Sequence, residues 1–464
     1  MINKEKMPFI LIMPDKIDET IDAIVNNVHI EQLKEMDFEQ LEVNIKQFAT
    51  IFENKVFRKI IKLKSKIDPR PSNIIKQEKN KKYSLTYKRE SQITVKSILG
   101  DVEIPTYYYY NQKYNHAETY NPAGYTETDF ISPGLKRLIA ITSIHFSDKQ
   151  SVDYLYQLFQ INIGEKTLMN VRHKLSEEAE NWQPKTRLKI KTTEDNTRFA
   201  LGLDEGKVHI KSAEKNQETG KFDYNWMNVK LGVSYEFNEV GKKINSSLYT
   251  GTIASQLADF GGKELCELAG NENFFYAKTK VTLSDGANGY ENILKTIVPD
   301  AYHILDVIHS KDHLRNLARC LHPDISPGKI SDDAQNLLNY LMKILLEKGP
   351  LNLLSEIELL EPKGKGSKSK KNIWQQEKEY IEKNQDRMDY PTYIKLNLPI
   401  GSGVIESAIK YVCNKRLKNN SACWLIESVR GLLKLRIIWF NNYFDDFWQF
   451  RSKKLKKQYE LKTA

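Results

Sequence analysis

Two short apolar runs that each end in an aspartate constrain this chain most. Phe199-Ala-Leu-Gly-Leu-Asp204 and Val281-Thr-Leu-Ser-Asp285 are too short and too continuously apolar to be surface helices, and Glu205-Gly206 and Gly286 follow them as turn signals. Runs of this kind read as strands buried on both faces, which places helices above and below a partly parallel sheet. Tyr302-His-Ile-Leu-Asp306 has the same form, while Met227–Phe237 and Ser247–Ile253 read as further strands. Lys263–Leu268 and Tyr290–Ile297 have helical spacing. Residues 196–310 are therefore expected to form an α/β core of three strands followed by alternating helix and strand, with carboxylates at the strand ends.

The remainder reads as flanks to that core. Residues 1–82 read as helical, with a capping box at Asp37 and Gln40 ahead of Leu41, Ile45, Phe48 and Phe52, and with Pro69 and Pro71 ending the region. Residues 83–131 read as a small β-rich segment, in which Ile93, Val95 and Ile98 lead into a hairpin at Gly100-Asp101 and on to the Tyr107–Tyr110 run. Residues 132–195 suggest a helix-turn-helix. Ser147 caps a helix bearing Val152, Leu155, Leu158 and Phe159, a turn passes through Asn162-Ile163-Gly164, and Leu168, Val171 and Leu175 face inward on the next helix. An ordinary helical hairpin would have the same pattern. Residues 311–396 read as helices, for example Ala334–Leu346, broken by a Lys/Gly/Ser-rich linker at 362–371. Residues 397–464 complete the core and end in basic helices.

Charge is distributed unevenly. Lys and Arg outnumber Asp and Glu by 11 to 2 over residues 55–82 and by 12 to 3 over 408–457, whereas 200–310 reverses to 11 against 15. Basic flanks around an acidic middle suit a polyanion held outside and cations held within, although charge runs also serve solubility. The four cysteines form no Cys-x-x-Cys pair, so neither zinc nor a disulfide framework is expected. The apolar stretch Phe9–Met13 is too short for a secretory leader, and no run of about 18 apolar residues suggests a membrane span. A cytoplasmic location fits.

Phosphodiester cleavage by two metal ions needs carboxylates that converge, and side chains at strand ends commonly line such a site. Asp204 and Asp285 stand where that chemistry would need them, but an Asp before Gly is also the ordinary way to make a turn. A third carboxylate, Glu406, lies one turn into a helix opened by Gly401-Ser-Gly403. The helix dipole alone also favours a glutamate there. Asp306 and His309, three apart after a strand, could support metal ligands from outside or could form a purely structural pair.

Together these segments resemble the acidic-triad transposases of bacterial insertion sequences in the Mutator-like superfamily, in particular the ISKra-type branch. The resemblance rests on Ser284-Asp-Gly-Ala287, Ile304-Leu-Asp-Val-Ile-His309, Pro399-Ile-Gly-Ser-Gly-Val-Ile-Glu-Ser-Ala408 and Ser428–Trp448. Weaker matches are Gly100-Asp-Val, the tyrosine run and Ser132-Pro-Gly-Leu135, and about residues 83–450 are covered. It implies an α+β multidomain protein whose ribonuclease-H-like α/β catalytic core carries an all-helical insertion, preceded by a helical, helix-turn-helix DNA-binding region. It maps the triad onto Asp204, Asp285 and Glu406 as ligands of two magnesium ions, with manganese as a substitute. The Asp-x-x-His pair of the family falls on Asp306 and His309. Relatives often carry paired cysteines after the tyrosine run, where this chain has Asn111–His116, so no zinc is expected. Contacts to DNA are expected from Lys166, Asn170, Arg172 and Lys174 on the second helix of the helix-turn-helix, and from Arg416, Lys418 and Trp424 after the catalytic helix. A tryptophan in the setting of Trp424 is more often core, and Trp439 and Trp448 read as core. The implied partners are terminal inverted repeats, target DNA and a second copy of the chain, in a bacterial nucleoid-associated setting. A catalytically silent DNA-binding derivative and a nuclease without strand transfer are the alternatives.

Overall fold

The computed structural model describes residues 17–26, 34–67, 70–78, 81–125, 127–184, 197–253, 256–271, 274–286, 289–360, 368–418 and 422–463. The chain is mixed α and β and divides into two compact units, residues 1–132 with 459–464, and residues 133–458. The stretch Phe9–Met13 and residues 362–367 of the basic linker lie outside the described residues.

In the first unit, α1 (Ile17–Val25) and α2 (Phe38–Ile67) precede a four-stranded antiparallel meander of β1 (Asn73–Glu78), β2 (Lys81–Ser97), β3 (Gly100–Asn111) and β4 (His116–Tyr120). The capping box forms as expected: Gln40 N–H donates to Asp37 Oδ1 at 2.8 Å, and Asp37 N–H to Gln40 Oε1 at 3.0 Å. β1 lies inside the region expected to be helical. Pro71 stops any helix there, and Ile74 pairs into the sheet core with Leu85 and Tyr109. The hairpin turns two residues earlier than Gly100-Asp101 suggests. Ser97 pairs with Gly100, so Ile98 and Leu99 make the turn, and Gly100 re-enters the strand at φ 89°. The amphipathic pattern of α2 is not a buried stripe, for Ile45, Phe48 and Phe52 are exposed. The helix is instead held through its later half, where Asn54 Nδ2 donates to the Leu99 carbonyl and Arg58 to that of Asp101.

The second unit opens with three helices, α3 (Pro133–His145), α4 (Asp148–Phe159) and α5 (Glu165–Glu180). Ser147 caps α4 through a complete capping box with Gln150. Leu168, Val171 and Leu175 are buried as expected, but Leu158 and Phe159 are exposed, because α4 buries only the face carrying Ser151 and Leu155. A five-stranded sheet follows: β5 (Arg198–Lys215), β6 (Phe222–Phe237), β7 (Lys243–Ile253), β8 (Thr279–Ser284) and β9 (Tyr302–Leu305). Its order is β7-β6-β5-β8-β9, with the first three strands antiparallel and β8 and β9 parallel to β5.

Both faces of this sheet are covered. Phe199, Leu201 and Leu203 pack on a helical stretch in which α6 (Leu257–Phe260) runs through a π turn into α7 (Cys266–Asn271), and on α8 (Tyr290–Ile297). Ala200 and Val208 face the larger core. That core is built from α9 (Val307–Leu321), α10 (Asp332–Lys348), α11 (Pro350–Leu359), α12 (Lys368–Asn384), α13 (Tyr390–Lys395), α14 (Gly403–Ala408), α15 (Lys415–Leu417) and α16 (Ile426–Phe440). The last helix, α17, spans Phe444–Thr463. No described helix is long and apolar enough to cross a membrane.

Candidate functional site

Register alone gathers three aspartates. Leu203 on β5 lies opposite Ser284 on β8, and Ser284 lies opposite Leu305 on β9. One residue further come Asp204, Asp285 and Asp306: Asp285 and Asp306 follow the ends of β8 and β9, whereas β5 does not end at Asp204 as the Glu205-Gly206 turn signal suggested but runs on, paired with β6, to Lys215. The ladder extends into this row, since Asp306 N–H donates to the Ser284 carbonyl at 3.1 Å. Because side chains alternate along a strand, Asp204 shares its face with Gly202 and Gly206. Both glycines are there for room: a Cβ on Gly202 would overlap Ile405, and one on Gly206 would press on Cys413 Sγ at 3.0 Å. The helical stretch carrying Glu406 can therefore lie directly on β5 beside Asp204.

Electrostatics confirms that the row is crowded. The Asp204 carboxyl is pushed up to about 6, first by burial and then by the negative charges of Asp285 and Asp306, against a hydrogen bond from Glu205 N–H and the nearby His309. Glu205, on the opposite face of β5, bonds the Asn228 amide and lies 3.8 Å from Lys230. Tyr290 is held well above the usual phenol range, by burial and then by its hydrogen bond to Glu205.

Asp306 is fully buried and caps α9, accepting from Ile308 N–H at 3.1 Å through Oδ1. The same oxygen accepts from Ser402 N–H at 2.9 Å, while Oδ2 faces His309 Nε2 at 3.7 Å. Ser402 then donates its hydroxyl to Glu406 Oε1 at 2.9 Å. The Gly401–Gly403 turn is thus tied to the aspartate row, and Val307 N–H to the Ile400 carbonyl fastens it a second time. Asp306 acts on the turn that carries Glu406, a more specific connection than the general support of metal ligands expected from spacing.

Residues with no sequence signal complete the surroundings. Arg387, buried between α12 and α13, donates to the carbonyls of Ser284 (3.1 Å), Asp285 (3.2 Å) and Ile304 (3.4 Å), and to Ser284 Oγ at 2.7 Å. It clamps the ends of β8 and β9. Tyr390 reaches the Leu305 carbonyl at 2.9 Å and Ser310 Oγ at 2.7 Å. Tyr380 packs so closely over Gly286 that any Cβ there would overlap its ring, and burial with the charge of Asp285 pushes its hydroxyl up to about 12. A lone Arg between helices, or tyrosines in a helical segment, have no spacing that would have marked them.

The expected triad is only partly assembled. Asp204 and Asp285 adjoin, whereas Glu406 is exposed, and among the described residues no group of three or more His, Cys, Asp or Glu is arranged to hold a metal ion. Magnesium needs only one or two protein carboxylates, and a carboxyl raised by burial and then by a neighbouring negative charge is one whose charged form a cation would favour, so Asp204 and Asp285 could hold such an ion.

The expected DNA contacts divide. Lys166, Asn170, Lys174 and Lys418 are exposed. Arg172 and Arg416 are buried and converge on Asp148, with Arg172 Nη2 at 2.9 Å and Arg416 Nη2 at 3.4 Å from its carboxylate. Arg416 Nε also donates to the Ser143 carbonyl, and both guanidinium groups lie over the Trp424 ring, at 4.8 Å for Arg416 and 5.8 Å for Arg172. The Trp424 backbone bridges to β5 and its indole donates to the Leu417 carbonyl. Arg172, Arg416 and Trp424 therefore act as an internal joint between α3–α5 and the core, because a buried guanidinium keeps its charge only where acceptors surround it. Trp439 and Trp448 are half-buried, packed against His145 and Phe444. A separate cavity of about 540 Å³, lined by Glu180, Glu264, Glu267, Arg430 and Lys434, contains none of the aspartates. Compared with the models of known protein families and with characterised proteins, the chain matches none.

Proposed function

We propose that this chain is a DNA transposase that cuts the ends of a mobile element and joins them to target DNA with divalent metal ions. The observation that carries the reading is the row Asp204, Asp285 and Asp306 on three adjacent parallel strands, at the level where β8 and β9 end, linked through Ser402 to Glu406. The sheet order β7-β6-β5-β8-β9 supports taking the core as ribonuclease-H-like, with α9–α13 as its helical insertion. The α4–turn–α5 unit supports a helix-turn-helix role, with Lys166, Asn170 and Lys174 as its exposed polar face.

Asp204 and Asp285 would hold the cations, with Glu406 as the third carboxylate. Magnesium or manganese bound there supplies activation of the attacking oxygen and stabilisation of the leaving one. The chain's own residues do the positioning. Arg387 fixes the two strand ends from which Asp285 and Asp306 emerge. Asp306 holds the Gly401–Gly403 turn, and Ser402 orients the Glu406 carboxylate. Exposed lysines on α5 and Lys418 would meet phosphates, which set position rather than sequence preference. Two ends must be joined, so two copies of the chain would act together.

The reading is tested with DNA carrying the sequences that flank the gene, a target plasmid and magnesium. Cuts at the element's ends followed by joined product are expected. Cutting without joining would reduce the protein to a nuclease, and DNA binding with no cutting would make it a silent derivative.

A further inference from the structure

Beyond the aspartate row, β5 and β6 continue as a two-stranded ribbon. Lys207 pairs with Asn228, His209 with Trp226, and Lys211 with Tyr224, so these six side chains share one face. Trp226 and Tyr224 are 59% and 55% exposed, unusual for large rings that belong to no core. They are nevertheless ordered. The His209 ring stacks on both, with centroids 5.0 Å from Trp226 and 5.6 Å from Tyr224 and interplanar angles of 29° and 28°. Lys211 Nζ lies 4.6 Å from the centre of the Phe222 ring, which holds the cation on the same ribbon.

The charge on this face has one sign. From Lys207 and Asn228 outward to Lys211 and Tyr224 it carries no carboxylate, and the first acid, Glu205, is engaged by Asn228 and Lys230. Asp223 alternates to the opposite face, where its N–H meets Ser212 Oγ, and Glu214 and Glu218 belong to the ribbon's tip. Exposed rings two residues apart, roughly 7 Å, with lysines beside them form a platform on which successive unpaired bases can stack while phosphates meet the cations. A duplex hides the faces of its bases and could not use it.

We propose that this ribbon face binds an unpaired DNA strand, with bases stacked on Trp226 and Tyr224 and the backbone drawn along Lys207 and Lys211. The proposal rests on the reading of the chain as a DNA-processing enzyme, and it names the form of DNA that the ribbon holds. His209 and Trp226 lie five residues, roughly 17 Å, along the strand from Asp204 and share the face of Glu205, opposite to that of Asp204.

The test uses the full chain in EDTA, so that no cutting occurs, with a fluorescent oligothymidylate of about 12 nucleotides. Trp226→Ala and Tyr224→Ala are each expected to weaken its binding by about tenfold or more, the loss of one stacked base. Trp226→Phe keeps a ring and should stay close to wild type. Both alanine variants should bind a duplex of equal length as the wild type does and melt as it does, since neither ring is in a core. Wild type that ignores the oligomer, alanine variants that bind it unchanged, or equal losses for oligomer and duplex would each overturn the proposal. Asp285→Asn should bind the oligomer normally. Loss of oligomer binding in the ring variants, in a protein found not to cut DNA, would keep the ribbon and remove the nuclease.

Discussion

Asp204 sits where a charged carboxylate is disfavoured. Burial and the neighbouring Asp285 raise it to about 6. A carboxyl raised on folding stabilises the protein fully below its unfolded value, and that contribution is lost as pH rises through the folded value. In metal-free buffer Asp204→Asn should therefore melt above the wild type near neutral pH, by roughly 1–3 kcal/mol. The advantage should disappear below about pH 4, where both side chains are neutral. Melting curves across that range check it, and a difference independent of pH would deny the crowding. Glu406 poses the opposite question. Its Oε1 accepts from Ser402, a bond that glutamine retains, so Glu406→Gln removes charge and little else. A glutamate serving only the helix dipole would lose about 0.3–1 kcal/mol and keep activity. The expected outcome is near-complete loss of end cleavage with unchanged gel-shift binding, and wild-type cleavage would take Glu406 out of the site.

Among the elements, α12 and the Arg387 turn have a role that their sequence does not advertise. Arg387→Met should cost roughly 1–3 kcal/mol, because it removes the charged donor shared by Ser284, Asp285 and Ile304, although the Ser284 carbonyl keeps the Asp306 N–H. A melting temperature within error of the wild type would show that the clamp is dispensable. Gly202→Ala should push Ile405 and its helix off β5, costing about 1–3 kcal/mol and lowering cleavage together with stability. β8 and β9 were legible as short apolar runs, and Asp285 as the residue that follows the first of them; β5 was legible only as far as Asp204, because Glu205-Gly206 reads as a turn whereas the strand runs on to Lys215 and Gly206 makes room for Cys413. What stayed hidden was tertiary. The register that aligns Asp306 with the other two aspartates depends on strand order, which periodicity does not contain. Arg172 and Arg416 look like surface cations by type, and only the convergence of α4, α5 and the stretch after α14 on Asp148 makes them internal. The stripe on α2 has true helical spacing, yet spacing says which residues share a face and not whether that face is covered.

At the scale of the molecule, basic stretches at residues 55–82 and 408–457 flank an acidic one at 200–310, and the proposed DNA binding rests on those cations. The protein's duplex affinity should fall steeply between about 50 and 200 mM salt as lysines displace counterions, and a flat response would remove the electrostatic argument. The exposed Lys166, Lys174 and Lys418 should share that slope, whereas Arg172 and Arg416 should affect folding instead. Asp285 adjoins Asp204 in the row and leaves the sheet just where Arg387 clamps it. The decisive measurement is magnesium-titrated cleavage of DNA carrying the gene's flanks by wild type and Asp285→Asn, with gel-shift binding and melting recorded on the same preparations. The expected result is a folded variant that binds DNA as the wild type does and cuts none of it at any magnesium concentration. Cleavage by Asp285→Asn at the wild-type rate would contradict the account.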